Sequence, residues 1–216
     1  VNAAEDIGVG VGPSISRSNG NNLYSLNVND INHFNQIDKS YGYAQYGSGG
    51  GGIQIGNGIG VDMNATSGLS LYGLGEGEGV APHVGFDLGG RIRLNTNSGI
   101  NSFYQWLPAV TVGPQFGWGR SRLLLLAKAG ASVGNYDKTG LLPNFYWSYG
   151  AGLCLTTASV DVSSGLMLFG DNKAITADVM VNLGDHKVGL RLEHWTNPTK
   201  ALEDNSAALI LRSKLF

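Results

Sequence analysis

Residues 174–197 read AITADVMVNLGDHKVGLRLEHWTN. In the first half Ile175, Ala177, Val179, Val181 and Leu183 alternate with Thr176, Asp178, Met180 and Asn182. In the second half Val188, Leu190 and Leu192 alternate with Gly189, Arg191 and Glu193. A period of two marks a strand with one apolar and one polar face. GDHK at 184–187 is a tight turn between two such strands. Each runs about ten residues, the length a tilted strand needs to cross a bilayer, whereas strands of globular proteins average nearer five or six.

The same period extends along the chain from about residue 51. HVGFDLGGRIRLN at 83–95 sets Val84, Phe86, Leu88, Ile92 and Leu94 against Asp87, Arg91 and Arg93. FYWSYGAGLCL at 145–155 sets Phe145, Trp147, Tyr149, Ala151, Leu153 and Leu155 against Tyr146, Ser148, Gly150, Gly152 and Cys154. The pattern predicts ten strands, at 51–64, 67–77, 83–95, 105–119, 122–135, 145–156, 158–170, 174–184, 187–196 and 207–216.

Residues 1–50 read differently. A hairpin is expected around Asn19-Gly20, a favoured two-residue turn. DINHFNQIDKS at 30–40 reads as a helical turn or an irregular plug, and GSGGGG at 47–52 as a flexible connection. The chain thus divides into an N-terminal hairpin, plug or pair of extra strands at 1–50 and a barrel at 51–216. The fold expected is an all-β antiparallel transmembrane barrel of about 10–12 strands, within a range of 8–12.

Composition supports this. The 216 residues include 34 glycines, and only 14% are charged, where soluble domains have about 25%. Net charge is −2 with no basic run, which argues against nucleic acid as a partner. A lone Cys154 excludes an internal disulfide framework. No stretch approaches the ~18 apolar residues of a spanning helix, so a membrane location requires a closed sheet. The start at Val1, without methionine, fits a mature exported protein. The four histidines lie on different elements without ligand spacing, so no metal and no cofactor are expected. GLGEGEG at 73–79 shares only its glycines with phosphate loops.

With these features in view, the chain resembles small bacterial outer-membrane β-barrel proteins over roughly 51–216. Counted back from a periplasmic C-terminus, the connections at 119–122, 156–159 and 184–187 are short and fall inside. Those at 95–102, 135–144 and 197–207 are long and fall outside, as that class requires. Trp106, Trp118, Phe145, Trp147 and Trp195 resemble its interface girdles, and Phe216 its terminal aromatic, although Arg212 and Lys214 occupy the alternate positions before it. The resemblance implies the outer membrane of a Gram-negative bacterium, with outer-membrane lipids or lipopolysaccharide as partners.

A second resemblance is local. EHWTN at 193–197 is similar to the His-x-Ser-Asn pattern of outer-membrane lipid A deacylases, with Thr196 at the nucleophile position. A hydrolase of that kind would use His194, Thr196 and Glu203. The competing reading makes His194 and Trp195 rim residues at headgroup level.

The inward phase carries Asp87, Arg91, Arg93, Lys128, Asp178, Arg191 and Glu193. In a narrow lumen such charges must pair, which predicts a closed or narrow interior. Ala127, Ala129 and Ala131 form a smooth outward strip suited to lipid contact or to a second barrel, and hence to a homo-oligomer. The function expected is structural and lipid-organising. The alternatives are an outer-leaflet hydrolase and a narrow porin.

Overall fold

The computed structural model describes residues 4–36, 42–56, 58–72, 78–96, 102–135, 144–197 and 202–214. They form twelve strands: β1 (Ala4–Ser18), β2 (Asn21–Gln36), β3 (Gly42–Gly56), β4 (Gly58–Tyr72), β5 (Gly79–Asn95), β6 (Phe103–Trp118), β7 (Ser121–Gly134), β8 (Asn144–Thr156), β9 (Val160–Phe169), β10 (Asn172–Leu183), β11 (His186–Asn197) and β12 (Leu202–Lys214). Each pairs antiparallel with its sequence neighbours, and β1 pairs with β12 to close the barrel. Closure leaves no strand edge with unpaired backbone groups.

The closing seam is held at one end by Asn19. Its backbone N–H donates to the carbonyl of Glu203 at 2.9 Å, and its side-chain oxygen accepts from the Glu203 N–H at 3.2 Å. Asn19 and Gly20 have φ of 48° and 84°, the left-handed pair that a two-residue hairpin turn requires.

From β5 onward the elements coincide with the expected strands to within a few residues. The N-terminal quarter differs. In place of strands at 51–64 and 67–77, β3 and β4 pair across residue 57, so the expected boundary at residue 50 falls inside β3. The stretch 30–36 continues β2, and the glycine run pairs with β4, Gly47 opposite Ser67 and Gly51 opposite Met63. Glycine has no side chain and so shows no alternation, yet it can join a ladder where backbones come close. A Cβ on Gly51 would stand 2.9 Å from the Asp62 carbonyl oxygen.

Polarity is inverted relative to a water-soluble protein. Arg93 is 1% exposed and points into the lumen, while Trp147 is 76% and Leu26 72% exposed on the outside. An exterior of Leu, Ile, Val and aromatic side chains is stable only against hydrocarbon, and a charged interior only where its charges are paired.

The barrel has two ends. The terminus end carries Ala4, Lys214 and the connections at 37–41, 73–78, 119–120, 157–159 and 184–185. The loop end carries those at 19–20, 57, 96–102, 135–143, 170–171 and 198–201. The short-inside, long-outside parity therefore holds around β5–β8 and at β10–β12. It fails for the first two hairpins and for the turn at 170–171.

Candidate functional site

Two places concentrate chemistry: the lumen near the loop end, and the exterior beside the β11–β12–β1 seam.

In the lumen, Asp62 on β4 sits between two arginines of β5. It accepts from Arg91 at 2.9 Å and from Arg93 at 3.0 Å. Arg91 also reaches Glu193 on β11 at 3.1 Å, and Arg93 reaches Asp204 on β12 at 2.9 Å. The network therefore spans the interior from β4–β5 to β11–β12. Aromatic rings complete it. The Arg91 guanidinium lies 5.2 Å from the Trp195 ring centre and 5.7 Å from Phe103, and Arg93 lies 5.4 Å from Phe103. Phe103, Phe169, Ala174 and Trp195 form a buried apolar cluster, with Leu107, Tyr146 and Met167 against it. A guanidinium sandwiched by carboxylates and ring faces keeps its charge compensated away from bulk water.

Nearer the terminus end the pairs stand apart. Lys128 meets Asp87 at 3.4 Å, Arg191 meets Asp178 at 2.8 Å and Lys187 meets Asp161 at 2.5 Å. Between the last two pairs lies a cavity of about 260 Å³, lined by Cys154, Asp161, Asp178, Lys187, Arg191 and Arg212 among others.

Asp87, Arg91, Arg93, Lys128, Asp178, Arg191 and Glu193 each lie in one of these inward ion pairs. The sequence reading missed their partners Asp62 and Asp204, and also the separate pair Asp161 and Lys187. A signal existed, since the expected set held one more cation than anion. Asp62 was hidden by the misplaced strand at 51–64, and Asp204 by an expected loop at 197–207, of which residues 202–207 instead belong to β12.

Trp195 corrects the girdle expectation. It is 7% exposed, packs edge-on against Phe169 at 6.0 Å and belongs to the lumen. It shares the phase of Arg191 and Glu193 on β11, so alternation sends it inward. Trp106, Trp118, Phe145 and Trp147 face outward, at 51%, 48%, 58% and 76% exposure. Ala127, Ala129 and Ala131 also face outward, opposite Ala151, Tyr149 and Trp147 of β8.

On the exterior, the register sets His194 opposite Asn205, and Thr196 opposite Glu203. The His194 Nδ1 lies 2.6 Å from Asn205 Oδ1, and Asn205 Nδ2 donates to Glu203 Oε1 at 2.7 Å. A carboxylate only accepts, so it turns the Asn205 amide nitrogen toward itself and the amide oxygen toward His194. Nδ1 of His194 is then the donor, and in the neutral ring the lone pair sits on Nε2. His194, Thr196 and Glu203 therefore share one outward face. Glu203 lies on β12, not in the loop where it was expected. Beneath this polar row is a groove of about 590 Å³, with Ala177 and Ala207 low between Ile15, Ile175 and Leu192.

Among the described residues no His, Cys, Asp and Glu side chains cluster as a metal site. No protein-family model and no curated protein matches the sequence. Among solved structures, the chain is similar to the β-domain of the Bordetella autotransporter Brka, with 11% identity, 98% of each chain covered and a TM-score of 0.46. It is similar to the translocator domain of the autotransporter NalP from Neisseria meningitidis, with 9% identity, 100% of this chain and 89% of that one covered, and a TM-score of 0.46. It is also similar to an anion-selective porin from Comamonas acidovorans, with 9% identity, 99% of each chain covered and a TM-score of 0.42.

A closed antiparallel barrel with an apolar outside and a paired, charged inside has the architecture of outer-membrane β-barrels and is consistent with a place in that membrane.

Proposed function

We propose that this outer-membrane β-barrel is a closed, non-conducting structural protein that organises lipid around its wall. The observation that carries this reading is the network of Asp62, Arg91, Arg93, Glu193 and Asp204, packed with Phe103 and Trp195 across the lumen. A conducting pore needs water-filled space through its whole length, and buried ion pairs of this kind oppose that. The test is single-channel recording in planar bilayers. No unitary current is expected, and a stable open current would establish the narrow-porin alternative. The outward strip at Ala127, Ala129 and Ala131 supports association of two barrels through close packing. A dimer mass in mild detergent is expected to fall to that of a monomer in Ala129→Trp.

A second reading is favoured by one specific observation, the hydrogen-bonded chain from His194 through Asn205 to Glu203. A base oriented by a second group, with the Thr196 hydroxyl on the same face, is the arrangement of an acyl hydrolase. Under this reading, overexpression shortens lipid A by an acyl chain, and His194→Ala abolishes the change while the barrel still assembles. Unaltered lipid A on overexpression removes the reading.

A further inference from the structure

Among the described strand side chains the lipid-facing wall is almost free of charge, and the exceptions lie together. Arg17 and Lys173 are the outward-facing basic residues among the described strand side chains, and Glu203 is the outward-facing acidic one. The register places all three in one patch. Asn22, Arg17, Asn205 and His194 form a row across β2, β1, β12 and β11. Glu203, Thr196 and Lys173 form the next row toward the loop end. Charge on the lipid face is tolerated near the headgroups and costly deeper, which sets the depth of these rows.

Directly below, toward mid-membrane, the wall recedes. Ala207 follows Asn205 on β12, and Ala177 lies two residues beyond Ile175 on β10, and both line the groove. Hydrocarbon must fill a groove on this face, since water there would be surrounded by lipid. A cationic rim above an apolar slot is therefore the shape of one amphiphile, anionic at its head.

The spacing narrows the chemistry. Arg17 and Lys173 are separated by three strand intervals, about 15 Å. The groups between them are amide, hydroxyl and imidazole, which suit sugar hydroxyls better than a bare glycerol phosphate. The one carboxylate, Glu203, already accepts from Asn205.

We infer that this patch and groove bind a single phosphorylated glycolipid of the membrane. Its phosphates sit on Arg17 and Lys173, its sugar lies against Asn205 and Thr196, and an acyl chain fills the slot over Ala177 and Ala207. The inference rests on the lipid-organising reading and does not depend on whether the lumen conducts.

The test is native mass spectrometry of the full chain in a neutral detergent. The probes are phosphorylated lipid A, the same lipid after phosphate removal, and phosphatidylglycerol. One bound lipid A per barrel is expected, with binding weakened by at least about tenfold after dephosphorylation. The double variant Arg17→Gln/Lys173→Gln should lose a similar factor, while Arg120→Gln, in the β6–β7 turn at the far end, should lose none. Ala207→Trp fills the slot without touching the cations and should also weaken binding. Equal binding of the dephosphorylated lipid, or unchanged binding by the double variant, overturns the proposal. Phosphatidylglycerol binding as tightly as lipid A overturns the glycolipid assignment. An open current in the bilayer recording would sink the sealed-lumen reading and leave these results standing.

Discussion

Arg93 and Lys187 are both lumen cations paired with an aspartate, yet the Arg93 side chain is 1% exposed and that of Lys187 33%. Arg93 shares Asp62 with Arg91, also holds Asp204, and lies over the Phe103 ring. Lys187 has Asp161 and borders the open cavity. The loop-end half of the lumen is thus a closed network in which every member depends on the others. The terminus-end half is a set of separate pairs around open space. Removing one partner strands a buried charge in the first case and exposes a hydratable one in the second.

Four experiments bear on that contrast. The largest effect is expected for Asp62→Ala, which deprives two guanidiniums of their shared carboxylate. A loss of about 3–5 kcal/mol in urea unfolding from detergent is expected. Asp62→Asn should lose a comparable amount, because the charge and not the shape is what compensates the arginines. Next is Phe103→Ala, expected to cost about 3 kcal/mol from lost burial of the ring. A cost near zero would mean that the aromatic cluster is not what packs the loop-end lumen. Lys187→Met comes third, at under about 1 kcal/mol, since a partly exposed pair is screened by solvent. A loss as large as that of Asp62→Ala would erase the distinction between the halves. The smallest effect on stability, none, belongs to labelling of Cys154 in oriented proteoliposomes. A charged methanethiosulfonate reagent should modify this lumen thiol when added at the terminus end and leave it intact when added at the loop end. Modification from both sides would show that the network does not seal the barrel.

The strands from β5 to β11 were legible because most of their outward positions carry apolar residues and most of their inward positions polar ones or glycine. β3 was not, because GSGGGG at 47–52 has only the Ser48 side chain and so cannot alternate. Its place in the wall comes from hydrogen bonding to β4, a property of the neighbouring strand. The candidate site divides in the same way. His194 and Thr196 were visible as a pair two residues apart, and Glu203 as a nearby acid. Arg17 lies 188 positions before Asn205, and only barrel closure makes them neighbours.

The sequence by itself determined that this chain forms long, two-faced strands, since alternation and low charge are local properties of side chains. It also determined the shared phase of seven charges from Asp87 to Glu193, because a strand's phase does not depend on its partner. Only the tertiary structure decided which of those charges meet, that Trp195 packs between Phe169 and Arg91, and that the sparse exterior ions gather at one seam. Those outcomes depend on strand register and closure, which set cross-strand neighbours far apart in the chain and leave no mark in any single segment.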